Sequence, residues 1–189
     1  IYGPCNRILS YSASDRFVKE NTRVIQRNAE RLNTLIQELI EFRRIETENR
    51  KPQIEEVPVS QLSYDIIRSF SEIMDSKGFR FEHQIQPDLV WNTDKSFIYT
   101  VVTNLLSNAL KYTNYAGTIR MKAEVKNDRL EITISNTGKG IRKEDYDHVF
   151  DRYTILDNFE NKEDKSIMRN GLGLAISYNL VKLLKGEIA

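Results

Sequence analysis

The stretch Asn104-Leu-Leu-Ser-Asn108-Ala-Leu-Lys111-Tyr112-Thr113 carries much of the information on fold and chemistry in this sequence. Successive spacings from Asn104 to Asn108, Lys111 and Tyr112 are 4, 3 and 1 residues, so a helix places two amides, a cation and an aromatic ring on one face. An amide can hold a metal ion, and a lysine can approach phosphates. The stretch therefore predicts a helix that lines a nucleotide site.

A second segment, Asn136-Thr-Gly138-Lys-Gly140-Ile141, directly follows an alternating strand pattern. Its glycines give a backbone that can close around a small ligand. We expect this loop and the helix that ends near Tyr112 to share one cleft.

Length and composition limit the other possibilities. The 189 residues are 40% apolar, which suffices for one or two domains with a real core. With 28 Lys and Arg against 27 Asp and Glu, the formal charge is +1, which disfavours general binding to nucleic acid or to an anionic membrane. A single cysteine, Cys5, excludes an internal disulfide and fits a reducing compartment.

The two ends of the sequence suggest a piece of a longer protein. It starts at Ile1 without a Met or a signal peptide, and it stops at Ala189, where a new strand is expected to begin. No run approaches the roughly 18 apolar residues of a membrane-spanning helix.

The first 50 residues predict a helical domain whose first helix is incomplete. Residues 1–12 are expected to end one helix, residues 12–15 to form a turn with an N-cap, and residues 15–48 to form one long helix. Within the long helix, apolar residues repeat in heptads, which is typical of a coiled coil or a four-helix bundle. The seam residues are Val18, Ile25, Leu32, Leu35, Leu39 and Phe42. Asn21 and Asn28 lie in the same seam and either fix its register or mark a solvated end.

Residues 51–189 predict a second domain, with its boundary near Lys51 and its last strand or strands missing. The expected elements are an edge strand or linker before Pro58, a helix over 60–77 ended by Gly78, strands over 79–85 and 89–91, and a helix capped by Asp94. Next come a hairpin that turns at Asn127-Asp128 and a short helix over 142–149. A mobile loop over 154–169 follows, and then a helix over 171–184 that is capped by Asn170 and ended by Gly186. This order predicts an α+β fold, a two-layer sandwich with helices on one face of a mixed sheet.

Four motifs carry a family resemblance. They are the Asn104 helix, the Asn136 loop, Val149-Phe-Asp-Arg152 and Gly171-Leu-Gly-Leu174. Their order resembles the N-box, first glycine box, F-box and second glycine box in the catalytic ATP-binding domain of sensor histidine kinases, which share a superfamily with gyrase and MutL. Upstream, Asn28-Ala-Glu-Arg-Leu32 through Phe42-Arg-Arg-Ile45 is similar to the second helix of the kinase dimerisation and phosphotransfer domain.

The resemblance implies a set of ATP-binding residues. Asn108 would hold Mg²⁺ through its amide oxygen, since this ion needs few protein ligands. Asn104 would either orient the groups around the metal ion or simply pack against its neighbours. The implied set is Asn104, Asn108, Lys111, Tyr112, Asn136, Gly138, Gly140, Ile141, Arg152, Gly171, Leu172, Gly173 and Leu174.

Two positions depart from the family pattern. Asn136 stands where the family usually has an Asp that accepts a hydrogen bond from the adenine amine, so we expect a neutral acceptor and affinity weaker by roughly 1 kcal/mol. Arg169 stands two residues before Gly171, where a glycine is common. Phe150 is expected to anchor a lid over the nucleotide.

The phosphoacceptor histidine of the family has no counterpart here. His83 and His148 lack its surroundings and are expected to be structural, so this chain should bind ATP without autophosphorylating. The resemblance implies a homodimer through the 15–48 helix and relay to a response-regulator receiver domain. It also implies that this chain belongs to the cytoplasmic part of an inner-membrane bacterial sensor. The segment 150–159 is most similar to hybrid sensors, which also carry receiver and DNA-binding modules. The alternatives are a degenerate, non-catalytic nucleotide-sensing or dimerisation module and a gyrase-type ATPase, which the missing carboxylate on the Asn104 helix disfavours.

Overall fold

The computed structural model describes residues 2–11, 16–47, 51–151, 154 and 171–189. These residues form two compact units, Ile1–Arg44 and Ile45–Ala189. The division falls inside the last turn of a long helix, before the boundary expected at Lys51, which stays a prediction. The expected turn and N-cap at 12–15 lie outside the described residues, as does nearly all of the expected loop at 154–169.

The first unit consists of two helices, α1 (Tyr2–Tyr11) and α2 (Arg16–Thr47). The prediction of one uninterrupted long helix is confirmed. Its seam side chains are open in the single chain: Ile25 is 52% exposed, Leu32 57% and Leu39 45%. An apolar stripe of this length is stable in water only when another helix covers it.

The second unit contains two sheets with the helices α3 (Val59–Ser76), α4 (Lys95–Tyr112) and α5 (Gly173–Leu183). Strand β1 (Glu55–Pro58) pairs antiparallel with β3 (Val90–Thr93). Strands β2 (Arg80–Ile85), β4 (Thr118–Lys126) and β5 (Arg129–Asn136) form a mixed sheet, in which β2 and β4 run parallel and β4 and β5 antiparallel. The α+β prediction is confirmed, although two separate sheets take the place of the single one expected.

The larger sheet buries one face and exposes the other. In β4, Ile119, Met121 and Ala123 are buried in a core shared with α3 and α4, whereas Arg120 and Lys122 point to solvent. On the open face Glu82 pairs with Arg120, with an Oε2–Nε distance of 2.7 Å. The alternation seen in the sequence thus places α4 directly against the sheet.

Asp94 fixes the start of α4. Its carboxylate accepts hydrogen bonds from the amides of Ser96 at 2.9 Å and Phe97 at 3.1 Å, and from the amide of Gln53 at 2.8 Å. It is 4% exposed, and one side chain therefore ties the segment before β1 to the first turn of α4. The predicted cap is confirmed.

The turns follow the sequence signals closely. Asn127 and Asp128 both have positive φ, 52° and 56°, as a two-residue hairpin of the predicted kind requires. Gly78 (φ 64°) ends α3, with its amide donating to Asp75 O and the amide of Phe79 to Met74 O.

Three predicted boundaries need correction. Helix α5 begins at Gly173 with Leu172 as its N-cap, because Gly171 has φ 62°, which no right-handed helix accommodates. Its proposed cap, Asn170, lies outside the described residues. At the other end the left-handed residue is Lys185 (φ 59°) and not Gly186. The short helix predicted over 142–149 is a 3₁₀ helix, Lys143–His148.

None of the described helices combines the length and apolar character needed to cross a membrane.

Candidate nucleotide-binding site

Helix α4 carries Asn104, Asn108, Lys111 and Tyr112, as the spacing predicted. All four residues are half-buried. The helix contains no Asp or Glu, and Lys111 lies in its last turn. Between Asn104 and Tyr112 the helix therefore carries two side-chain amides and one cation, a set suited to a metal ion and phosphate oxygens.

The C-terminal end of α4 contacts the first glycine loop. A Cβ built at Gly138 would overlap the carbonyl oxygen of Tyr112, so only glycine fits there without a shift of the backbone. Beside it, the amide of Asn114 donates to Thr137 O at 2.9 Å. Gly140 has φ 72° and open space around it, and Ile141 is 44% exposed. The loop thus begins against the helix end and then turns outward.

The middle of α4 contacts the second glycine segment. The Nδ2 of Asn104 donates to Gly173 O at 3.1 Å and lies 3.3 Å from Ser177 Oγ. Ser177 is fully buried and donates to Gly173 O at 2.8 Å. Leu172 is buried, Leu174 is half-buried, and Gly171 precedes the helix in a left-handed conformation. Asn104 therefore packs against α5, and its other expected role, orienting the groups around a metal ion, stays a prediction.

Asn108 and Lys111 lie on α4 between these two contacts. Among the described residues no group of three His, Cys, Asp or Glu could hold a metal ion. Asn108 carries an amide oxygen of the kind that Mg²⁺ accepts together with phosphate oxygens and water.

The Phe150 ring stacks on α5. The centroid of the Phe150 ring is 5.5 Å from that of Tyr178. The Tyr178 ring also contacts Lys182, whose Nζ lies 5.3 Å from the ring centroid. The predicted site residue Arg152 lies outside the described residues, together with Tyr153 and Arg169. The lid that Phe150 was expected to anchor also stays a prediction.

The two histidines make local contacts. The His83 ring meets Tyr64 edge-on with 5.5 Å between centroids. His148 Nδ1 lies 2.8 Å from Asp151 Oδ2, and this hydrogen bond together with the Asp151 charge raises the pKa of His148. These contacts suit the structural roles expected from the sequence.

Sequence reasoning gave no role to three residues that hold the site together: Thr137, Ser177 and Tyr178. Thr137 stood inside a quoted motif as the residue between Asn136 and Gly138. Ser177 and Tyr178 lie on α5, where the available signal in the sequence was a serine four residues, about one turn, after Gly173.

The fold defines an α+β class of protein in which one helix, α4, contacts two glycine segments. Residues 93–189 match the family described as histidine kinase-, DNA gyrase B-, and HSP90-like ATPase. Since this match covers half of the chain, the chain belongs to that family.

Individual relatives agree with this assignment. Histidine kinase P4 of Formosa agariphila is 29% identical over 191 aligned residues, which take in 100% of this chain and 14% of that protein. The full-length ShkA structure in complex with AMPPNP superimposes with a TM-score of 0.76 at 19% identity, covering 97% of this chain and 39% of that one. Histidine kinase ThkA in complex with the response regulator TrrA gives 0.69 at 21% identity, covering 97% and 50%.

At these identities the structural matches show the fold. The chain spans 14–31% of the length of eight of the curated relatives that it matches.

Proposed function

We propose that this chain is the ATP-binding kinase core of a bacterial two-component sensor histidine kinase. It would transfer the γ-phosphoryl group of Mg²⁺-bound ATP to a histidine outside this sequence, for relay to an aspartate of a response regulator. The observation that carries the proposal is the place of α4 between two glycine segments. Asn104 holds Gly173, the Tyr112 carbonyl covers Gly138, and Asn108 and Lys111 lie between them.

The residues of the cleft divide the work of binding. Asn108 would hold Mg²⁺, which supplies charge neutralisation at the phosphates, and Lys111 would add a point charge there. Tyr112 would flank the base or ribose. The glycines at 138, 140, 171 and 173, with Ile141, Leu172 and Leu174, would shape the backbone around the ligand, and Arg152 would complete the site. Because α4 lacks a carboxylate to activate water, the arrangement favours phosphoryl transfer over hydrolysis.

Asn136 would recognise the base through Oδ1, which accepts a hydrogen bond from the adenine amine. Its side chain lies over the loop, since its Nδ2 is 3.1 Å from a Cβ built at Gly138. A neutral acceptor gives up the charge assistance of a carboxylate, and we expect that to cost about 1 kcal/mol.

Partners follow from the other unit. The exposed seam of α2, with Ile25, Leu32 and Leu39, fits a second copy of the same helix, so the chain would dimerise through it. ThkA is in complex with a response regulator and ShkA with AMPPNP, and these pairings support a receiver domain and ATP as partners here.

Calorimetric titration with a non-hydrolysable ATP analogue tests the nucleotide site. We expect binding that strengthens with Mg²⁺ in the wild-type chain and loses its Mg²⁺ dependence in Asn108→Ala. The matched control is Asn92→Ala, which alters an exposed asparagine on β3 and should behave as the wild type. No binding with or without Mg²⁺ would refute the proposal.

Phosphoryl transfer needs a longer protein that includes the preceding helix and its histidine. We expect acid-labile phosphate on that histidine after incubation with Mg²⁺ and ATP. Nucleotide binding without any labelling would instead support the non-catalytic nucleotide-sensing module.

A further inference from the structure

Thr137 makes an unusual set of hydrogen bonds at the end of β5. In the antiparallel ladder of β4 and β5, residue 119 faces residue 136, so Thr118 and Thr137 form the next pair. The amide of Thr137 donates to Thr118 O at 2.9 Å, which is one half of a regular hydrogen-bonded pair. The other half is different.

The amide of Thr118 donates to the side chain of Thr137, with 2.8 Å between N and Oγ1. In a regular ladder this amide would donate to the backbone carbonyl of Thr137. The hydroxyl oxygen thus takes the place of that carbonyl, which is then available for another donor. Only a residue with a short side-chain acceptor can make this substitution.

The released carbonyl holds the end of α4. Thr137 O accepts from the amide of Asn114 at 2.9 Å, two residues after the last residue of the helix. Gly117 lies against the hydroxyl of Thr137, since a Cβ built at Gly117 would come within 2.5 Å of Thr137 Oγ1 and 2.6 Å of Thr113 Cγ2. Through one residue the strand β4, the glycine loop and the helix end are joined.

We propose that Thr137 is a positioning residue for base recognition. Its hydroxyl replaces its carbonyl in the ladder, and its carbonyl binds the end of α4. These two bonds fix Asn136 and Gly138 relative to Tyr112. The acceptor on Asn136 then faces the base, and the ring of Tyr112 flanks the base. This inference rests on the proposed function, because it assigns Asn136 to the base.

The test compares ATP with ITP, which has an oxygen in place of the exocyclic amine and so cannot donate from that position to Oδ1 of Asn136. Dissociation constants for both nucleotides with Mg²⁺ are measured on the 189-residue chain and its variants. In the wild type, ATP should bind more tightly. In Thr137→Val, which keeps the shape of the side chain without its hydroxyl, ATP affinity should fall about 3- to 10-fold with ITP affected less, so that the preference approaches parity.

Two further variants make the result specific. Thr137→Ser restores the hydroxyl and should keep the wild-type preference within about twofold. Thr133→Val makes the same substitution on the exposed face of β5 and should leave both affinities unchanged. A general loss of stability would weaken ATP and ITP equally, whereas misplacement of Asn136 alters their ratio.

Thermal unfolding shows whether Thr137→Val is folded. Should it not fold, Asn114→Pro removes the donor to Thr137 O, at a place where the preceding residue, Thr113, already has the extended backbone that proline requires (φ −74°, ψ 133°). The ATP preference should fall in the same way.

The positioning role would be overturned if the ratio of the ATP and ITP dissociation constants were unchanged in Thr137→Val. The same holds for Asn114→Pro where Thr137→Val does not fold. A wild type that binds both nucleotides equally would also overturn this role. Failure of the wild type to bind either nucleotide would overturn the proposed function itself.

Discussion

The side-chain Nδ2 of Asn104 donates to the backbone carbonyl of Gly173 at 3.1 Å, across 69 residues of sequence. The bond joins the helix that carries the predicted metal ligand to the first residue of α5. Ser177 Oγ shares the same carbonyl, so a small buried polar cluster lies between the two helices. Asn104 consequently sets where the second glycine segment lies relative to Asn108.

Replacing Asn104 with Ala should therefore lower stability. The substitution removes the side-chain donor from α4 to the Gly173 carbonyl, which then keeps only Ser177 Oγ as a side-chain partner, and we expect the free energy of unfolding to fall by about 0.5–1.5 kcal/mol. Urea denaturation measures this change, and nucleotide titration of the same variant should show weaker binding because α5 is no longer held in place. An unaltered unfolding free energy with reduced binding would instead assign Asn104 to the ligand alone.

The two glycines of the first loop should respond differently to substitution by Ala. At Gly138 the new methyl group overlaps the Tyr112 carbonyl, so the loop must move away from α4, and we expect a loss of about 1–3 kcal/mol in stability with nucleotide binding strongly reduced. At Gly140 the space is open, and only the strain of a φ of 72° applies, about 1–2 kcal/mol.

Gly3→Ala is the matched control for both, since Gly3 lies within α1 with nothing near its Cβ position. There alanine should stabilise the helix slightly. Equal nucleotide affinity in Gly138→Ala and wild type would contradict the contact between the loop and the helix end.

Local chemistry made much of this fold predictable from the sequence. The Asp94 cap, the hairpin at Asn127-Asp128 and the end of α3 at Gly78 each depend on a few neighbouring residues. The end of α5 shows the limit of such rules. There Lys185 adopts the left-handed conformation while the amide of Gly186 donates to Val181 O, so the glycine follows the left-handed residue instead of occupying it.

Contacts between distant segments could not be predicted in the same way. The sequence placed Asn104 and Asn108 on one face, but whether Asn104 packs or binds depends on where α5 lies, 69 residues away. Likewise, Thr137 has no distinguishing local pattern. Its role arises because its carbonyl meets the amide of Asn114, which brings together the ends of two elements that the sequence describes separately.

Asp94 should make stability depend on pH in the acid range. Burial alone would raise the pKa of its carboxyl, but the hydrogen bonds from Ser96, Gln53 and Phe97 outweigh burial and hold the pKa below the ordinary 3.8. A lowered pKa means that the carboxylate stabilises the fold above about pH 4 and that this contribution is lost as pH falls through the folded-state pKa.

Urea unfolding of wild type and Asp94→Asn at pH 7 and pH 3 checks this expectation. The variant should be less stable at pH 7, by about 1–3 kcal/mol, because an amide nitrogen replaces one of the two oxygens that accept hydrogen bonds, and it should lose less stability between the two pH values. Identical pH dependence in both proteins would exclude Asp94 as the source.

His148 should titrate above its ordinary value because Asp151 stabilises the imidazolium. Proton NMR of the ring in wild type and Asp151→Asn should give a lower pKa in the variant. Any stabilisation from this exposed pair is present at low pH and is lost as pH rises through the raised pKa. The same pKa in both proteins would mean that the 2.8 Å contact is not formed in solution.

The seam of α2 should determine the oligomeric state. Leu32 is 57% exposed in the single chain, and a charge there would have to be buried between two helices. In Leu32→Lys, the loss of two symmetry-related leucines should weaken dimerisation by about 3–6 kcal/mol, at least a hundredfold in the dissociation constant. Sedimentation equilibrium measures the shift, and Asn33→Lys, which adds the same charge to the adjacent exposed position outside the seam, should remain as dimeric as the wild type. If the leucine and asparagine variants associate equally well, the second copy does not bind along this seam.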